Sequence, residues 1–392
     1  MTTERPEPPE SMRFLWLFAL AWAGGAVAYV PFLTILLPLR VVGFAGGNSV
    51  EALGLITFCG AVAASVGNIL FGWLSDRSGT RRPWIAAGLV LTIALLLAVP
   101  SGRDLPSILI LVVCWQLALN MMLGPLSAWA ADRVPRRMTG YLGGLMALSP
   151  ALGALSGVVA TVPGFATADQ RLWLVAAMVA ACVAPALLLA PPATRLDAEP
   201  EGAPIRPRRR FAVLMWIARL LVQIAEASLF AYLLLYFRAL DPAVAESSIA
   251  RLFGAVLAAA VPVAIWVGRR ADRSVRPARS LAICALFSGG GLLGMAASTS
   301  IQQVIVAYVV FGLATTVFLS LHSGQTLRVL PSRRHRGRDL GVFNLTNTVP
   351  SLVMPWLTIA VVPLRGFPTL FAILALLAFT SSALLFTLKR LD

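Results

Sequence analysis

Charged residues are scarce, at 12% of the 392 positions, and acidic ones scarcer still, with 17 Asp and Glu against 32 Lys and Arg. There are two histidines and four cysteines. Cys59, Cys114, Cys182 and Cys284 all stand in apolar runs without metal-ligand spacing, so they read as small packing residues, and no metal or cofactor site is expected. No D-x-x-D pair, His–Glu cluster or nucleophile beside a base stands at the end of an apolar run, which argues against a polytopic membrane enzyme such as a lipid headgroup transferase. The absence of a G-x-x-x-x-G-K-[ST] loop disfavours a nucleotide-driven pump. A non-transporting scaffold or sensor is the remaining alternative of another class, but nothing resembles a soluble sensory domain. The net charge of +15 does not imply a nucleic-acid partner, because the arginines form short clusters between apolar runs and no continuous basic face.

What the chain has is apolar surface: 58% hydrophobic residues and a mean hydropathy of +0.83. A soluble core cannot hide so much, so the lipid bilayer is the expected solvent. Twelve apolar runs are long enough to cross it as helices: 14–39, 52–74, 84–101, 106–131, 141–162, 170–190, 211–238, 248–268, 279–299, 302–327, 339–362 and 368–388. The run after the polar N-terminus is too long for a signal-peptide core, so no cleavage is expected. The termini and the loops after even-numbered spans hold 25 Lys and Arg, the loops after odd-numbered spans hold six, and Arg219 lies inside the seventh span. This bias predicts both termini in the cytoplasm, in a multi-pass protein of a bacterial inner membrane. Residues 191–210, P-P-A-T-R-L-D-A-E-P-E-G-A-P-I-R-P-R-R-R, read as a cytoplasmic linker between six-span units 1–190 and 211–392.

Those units repeat each other. Residues 72–83 are G-W-L-S-D-R-S-G-T-R-R-P and residues 268–277 are G-R-R-A-D-R-S-V-R-P, which puts Asp76 and Asp272 half a chain length apart. A second basic pair follows nearly 200 residues apart, A-D-R-V-P-R-R-M-T-G-Y-L-G at 131–143 and L-P-S-R-R-H-R-G-R-D-L-G at 330–341. A duplicated apolar body with matched basic punctuation predicts a transporter built from two parallel halves.

The 72–85 segment resembles the loop between the second and third helices of the major facilitator superfamily, G-x-L-a-D-R-x-G-R-R, with Gly72, Leu74, Asp76, Arg77, Gly79 and Arg81 matching and Thr80 standing where the family usually has Arg. The second copy keeps Gly268, Asp272, Arg273 and Arg276, with Val275 in place of Gly. The resemblance implies an all-α membrane protein of twelve transmembrane helices in two pseudo-symmetric six-helix bundles. It also implies a cytoplasmic gate latch at Gly72, Asp76, Arg77, Gly79, Arg81, Asp132, Asp272 and Arg273, which holds the halves together while the carrier faces outward. A narrower likeness is to sucrose transporters and their glycoside/cation symporter relatives. It rests on R-R-P-W-I after the first motif and on Trp115, Asn120, Gly124, Pro125, Ala128 and Asp132 within W-Q-L-A-L-N-M-M-L-G-P-L-S-A-W-A-A-D; the extra R-F-G-R of those relatives is missing here.

Inside the spans, Arg219, Gln223 and Glu226 fall at i, i+4 and i+7 on one helical face. Charged groups are expensive against lipid, so this stripe is expected to face a central cavity or pair internally, with Glu226 as a candidate proton carrier as it gains and loses Arg219, or else as half of a structural brace. Gln116 with Asn120, Asn344 with Asn347, Tyr29, Tyr232 and the titratable His322 are further cavity candidates, each equally suited to interhelical bridging. The small-residue runs 60–67 and 143–157 predict close helix packing. Pro31, Pro38, Pro125, Pro150, Pro262, Pro350 and Pro355 predict bends. The expected protein is no enzyme but a monomeric secondary transporter working by alternating access. Proton-coupled symport of a sugar-like or other small organic solute is the first expectation, and proton-antiport efflux of drugs or metabolites the alternative.

Overall fold

The computed structural model describes residues 12–45, 49–162, 164, 166–190, 209–244, 246–274, 276–330 and 335–388. Of the expected linker 191–210, positions 191–208 lie outside these residues, as does Val275. The helices are α1 (Met12–Pro31), α2 (Leu37–Ala45), α3 (Ser49–Ser78), α4 (Arg82–Ala98), α5 (Leu105–Arg133), α6 (Thr139–Met146), α7 (Leu148–Ala160), α8 (Ala168–Leu189), α9 (Arg209–Leu240), α10 (Glu246–Asp272), α11 (Pro277–Ala297), α12 (Ile301–Val329) and α13 (Arg336–Phe386). Ten helical stretches are long and apolar enough to cross a membrane. The fully helical α9 adds another span. So does the first part of α13, which breaks at Gly366 (φ 73°), a left-handed conformation that glycine adopts freely. Twelve spans result.

Two of the expected proline bends are breaks in the backbone pattern. A π-helical turn at Phe32–Leu36 separates α1 from α2 between Pro31 and Pro38, and the fifth span splits into α6 and α7 at Ala147, three residues before Pro150. Each proline removes a donor to the preceding turn, which loosens there. The helices run unbroken across Pro125, Pro262, Pro350 and Pro355.

One apolar core is drawn from α1–α8, with Trp115 fully buried edge-on against Phe32 at 4.7 Å. Two others come from α9–α13, and Ala147 at the α6/α7 break inserts into one of them. Lipid is as apolar as these side chains, so close packing and interhelical hydrogen bonds must supply much of the cohesion. Between the halves α3 and α5 pack on α13, and α6 packs on α10 and α12.

Helix starts differ by face. At the face opposite the basic loops, α5 and α8 begin with complete capping boxes, Asp104/Ser107 and Thr167/Gln170, and Ser300 caps α12. Asp104 lies outside the spans, and its hydrogen bonds from Ser107 hold its carboxyl below the usual range. At the basic face, α6 and α13 begin after Met138 and His335, neither of which supplies a side-chain cap.

Candidate functional site

The missing caps come from the opposite half. Asp76, at the end of α3, accepts hydrogen bonds from the backbone N–H groups of Gly337 (3.0 Å) and Arg338 (3.1 Å) in the first turn of α13. Asp272, at the end of α10, accepts from Gly140 and Tyr141 N–H, both at 2.7 Å, in the first turn of α6. Each carboxylate thus meets the positive end of a helix dipole across the seam. Arginines complete the networks. Arg81 donates to Asp76 (2.7 Å), Asp132 (2.9 Å) and Ser75 (2.6 Å), and Arg336 reaches across to Asp132 (3.1 Å) and the Ala131 carbonyl (2.6 Å). Arg328 donates to Asp272 (2.6 Å) and to Thr139 of the other half. The Asp76 and Asp272 side chains are 4% and 10% exposed, so these contacts are shielded from solvent and salt.

Glycine permits the approach. A Cβ on Gly72 would lie 2.4 Å from the Gly337 carbonyl oxygen, and one on Gly268 would lie 2.2 Å from that of Gly140. Gly79, at φ 66°, turns the chain between α3 and α4 with open space around it.

Two residues of the expected latch stand elsewhere. Arg77 is exposed and lies over the Trp73 ring at 5.8 Å, and Arg273 is exposed beside Arg269 and Arg270. Each follows its aspartate by one position. A helix turns 100° per residue, so an inward Asp sends its neighbour off the seam. Of the aspartates' partners, Arg336 stands in the basic string 330–341, and Arg328 shows in the sequence only through the charge bias.

Further into the membrane a cavity of about 60 Å³ lies between the halves, reached by Trp22, Asn68, Arg219, Ser323, Asn344 and Asn347. Arg219 donates to Ser323 Oγ (2.9 Å), the Leu319 carbonyl (3.2 Å), Asn347 Oδ1 (3.2 Å) and His322 Nδ1 (3.4 Å). His322 is fully buried, and its Nε2 sits 2.9 Å from the Met215 carbonyl, which can only accept. Nε2 therefore carries the hydrogen and Nδ1 faces Arg219 as an acceptor. Asn347 also donates to Asn344 (2.6 Å).

Of the two arrangements left open for the stripe, Arg219 faces the cavity, and no direct Arg219–Glu226 ion pair forms. Seven helical residues span about 10 Å, and the two side chains turn to different neighbours. Glu226 accepts from Gln223 Nε2 at 2.8 Å, and among the described residues no carboxylate lies within ion-pair distance of Arg219. Without touching them, Glu226 acts electrostatically on Arg219, on Tyr29 of the first half and on Tyr308.

Gln116 and Asn120 do not reach the cavity. Gln116 backs onto Gly60, and Asn120 donates to the Gln116 carbonyl (2.8 Å) and accepts from Asn68 (3.0 Å), bridging α3 and α5. Asn68 was missed, although a polar residue closing the small-residue run 60–67 was a visible signal. Tyr232 lies in α9, and its side chain is outside the described residues. The residues behind the narrower sugar-transporter likeness lie in packing contacts and in the cross-seam network: Trp115 is core, Gly124 sits against the Asn68 backbone, Ala128 is buried against Leu340, and Asp132 holds Arg81 and Arg336.

Twelve apolar spans, a polar seam between two halves, and capping across that seam are the frame of a multi-pass membrane transporter. The Major Facilitator Superfamily model matches residues 14–276 and 215–392. The chain belongs to that family. Among solved structures, it is similar to the human organic anion transporter MFSD10 (TM-score 0.79, 14% identity, 97% of this chain and 100% of that one). A bacterial homologue of the iron transporter ferroportin, in an outward-facing state, matches with TM-score 0.73 and 14% identity over 95% and 98% of the two chains. The proton:xylose symporter XylE matches with TM-score 0.71 and 12% identity over 96% of each. At these identities the likeness is one of fold. No curated protein matches the chain in sequence.

Proposed function

We propose that this chain is a monomeric, proton-coupled secondary transporter that moves a small organic solute bearing a negative charge, by alternating access, through the seam between bundles 1–190 and 211–392. The basic face is assigned to the cytoplasm on the positive-inside rule, with both termini there and 191–210 as linker. Asp76, Arg81, Asp132 and Asp272 act as the cytoplasmic latch. The carrying observation is Arg219, a cation in the seam cavity satisfied only by neutral acceptors. Glu226 acts on Arg219 only from beyond ion-pair distance. A membrane-embedded cation with no counter-ion in direct contact is costly, and a solute carboxylate, phosphate or sulfonate would supply one. Glu226, two turns farther from the basic face and held by Gln223, is the proton carrier. The name of the organic anion transporter agrees with this reading. A second reading, a neutral sugar-like solute, draws on the amides of Asn68, Asn344 and Asn347 in the same cavity and on the name of the xylose symporter.

Proteoliposome uptake of labelled small carboxylates and of sugars, with and without a pH gradient, decides among these. Anion accumulation driven by the gradient is expected in the native protein. Arg219→Gln should remove it, and Glu226→Gln should uncouple it from the gradient while leaving solute exchange. Sugar accumulation that survives Arg219→Gln would establish the second reading. Proton-driven expulsion would establish antiport efflux, and full gradient-driven accumulation in Glu226→Gln would remove the proton carrier.

A further inference from the structure

On the outer surface where α10 and α11 meet at the basic face, Trp266, Arg269, Arg270, Arg273, Ser274, Arg279, Ser280 and Ile283 line a groove of about 820 Å³. Four guanidinium groups converge there without a carboxylate among the lining residues. Two of them are steered by aromatic rings: Arg270 lies over Trp266 at 6.0 Å, and Arg269 over Tyr141 at 4.8 Å. Below the arginines the wall turns apolar. Trp266 is 65% exposed, and Ile283 and Phe287, one helical turn apart on α11, are 39% and 57% exposed. The groove thus has a cationic rim at the membrane boundary and a greasy track running toward the bilayer centre.

We propose that this groove binds an anionic phospholipid of the leaflet at the basic face, its phosphate held by Arg270, Arg273 and Arg279 and its acyl chain lying along Trp266, Ile283 and Phe287. A free phosphate shares the headgroup chemistry but has no use for the apolar track. Arg269 links the groove to the seam, because its ring partner Tyr141 donates its backbone N–H to Asp272. Lipid in the groove therefore sits against one of the two cross-seam caps.

The test uses the full chain, purified and placed in phosphatidylcholine carrying a minor fraction of phosphatidylglycerol, with retained lipid read by native mass spectrometry. The native protein should retain phosphatidylglycerol over phosphatidylcholine. Arg270→Gln with Arg279→Gln should weaken that retention roughly tenfold or more, Arg270→Lys with Arg279→Lys much less, and Trp266→Ala should weaken it with all charges in place. Equal retention of the two lipids, retention indifferent to the double Gln variant, or displacement of phosphatidylglycerol by inorganic phosphate at matched concentration would each overturn the assignment. The solute-uptake outcome of Arg219→Gln does not bear on it.

Discussion

The Asp272 carboxylate accepts two main-chain N–H groups from the opposite half and a guanidinium from α12. Asparagine at this place keeps one carbonyl oxygen but loses the charge and the second acceptor. A hydrogen bond to a charged group is worth about 1.5–3 kcal/mol net, so Asp272→Asn should shift the balance between closed and open seam by roughly ten- to a hundredfold. The shift is measurable with a cysteine at Ala128, which is fully buried at the seam, introduced where Cys59, Cys114, Cys182 and Cys284 have been replaced. Its labelling by a polar maleimide should rise in Asp272→Asn and in Asp76→Asn, while Arg77→Gln should leave it unchanged. Equal labelling in all three would remove the latch. The aspartates were legible because the D-R string recurs at half-length spacing. Their partners were not, because the N–H groups of Gly337 and Gly140 carry no side-chain signal and lie 261 and 132 residues away. The i, i+7 spacing of Arg219 and Glu226 left open a cavity-facing stripe or an internal pair; two turns of helix separate the groups, and each finds a nearer hydrogen-bond partner.

At the scale of helices, the uncapped starts of α6 and α13 are a positional device. A helix start capped by its own chain keeps its cap however the bundles move, as at Asp104 and Thr167. A start capped from the other half has satisfied first-turn donors only while the halves touch. Glycine contacts set how closely they touch. A Cβ at Gly337 would lie 2.2 Å from the Gly72 carbonyl oxygen, nearer than atoms can stand, and that neighbour is backbone. Gly337→Val should therefore hold α13 off α3 and take Asp76 out of range of its two N–H donors. The expected outcome is a normally inserted protein with the Ala128 reporter exposed and uptake lost, whereas Gly79→Ala, with open space around it, should keep the seam closed at some cost in turn strain. Continued burial of the reporter in Gly337→Val would show that the contact is dispensable. The spans themselves were legible from hydropathy, and the small-residue run 143–157 foretold packing that Gly143 and Gly144 realise against Leu321 and Ala264. The break at Ala147 was expected only as a bend at Pro150. The helices continue through Pro125, Pro262, Pro350 and Pro355, since a proline removes one hydrogen bond without having to end a helix.

For the molecule as a whole, the hydrogen bonds between halves among the described residues are unevenly placed. They run from Ser65–Thr348 near mid-span to the Asp76, Asp132 and Asp272 networks at the basic face. The seam is thus sealed at one end, with Arg219 just beyond the seal and Glu226 farther still. If the halves rock about the cavity, fastening α3 to α13 must stop transport without disturbing either half. Ser65 Oγ and Thr348 Oγ1 stand 2.8 Å apart in α3 and α13, which suits a cross-link. Ser65→Cys with Thr348→Cys, in a protein otherwise free of cysteine, should oxidise readily, lose uptake when oxidised and recover it on reduction. The oxidised form should still bind solute from the unsealed side, so loss of uptake with binding kept separates a blocked cycle from a damaged site. Undiminished uptake by the fully oxidised protein would mean that solute crosses without parting α3 from α13, and the rocking of two bundles would have to be abandoned.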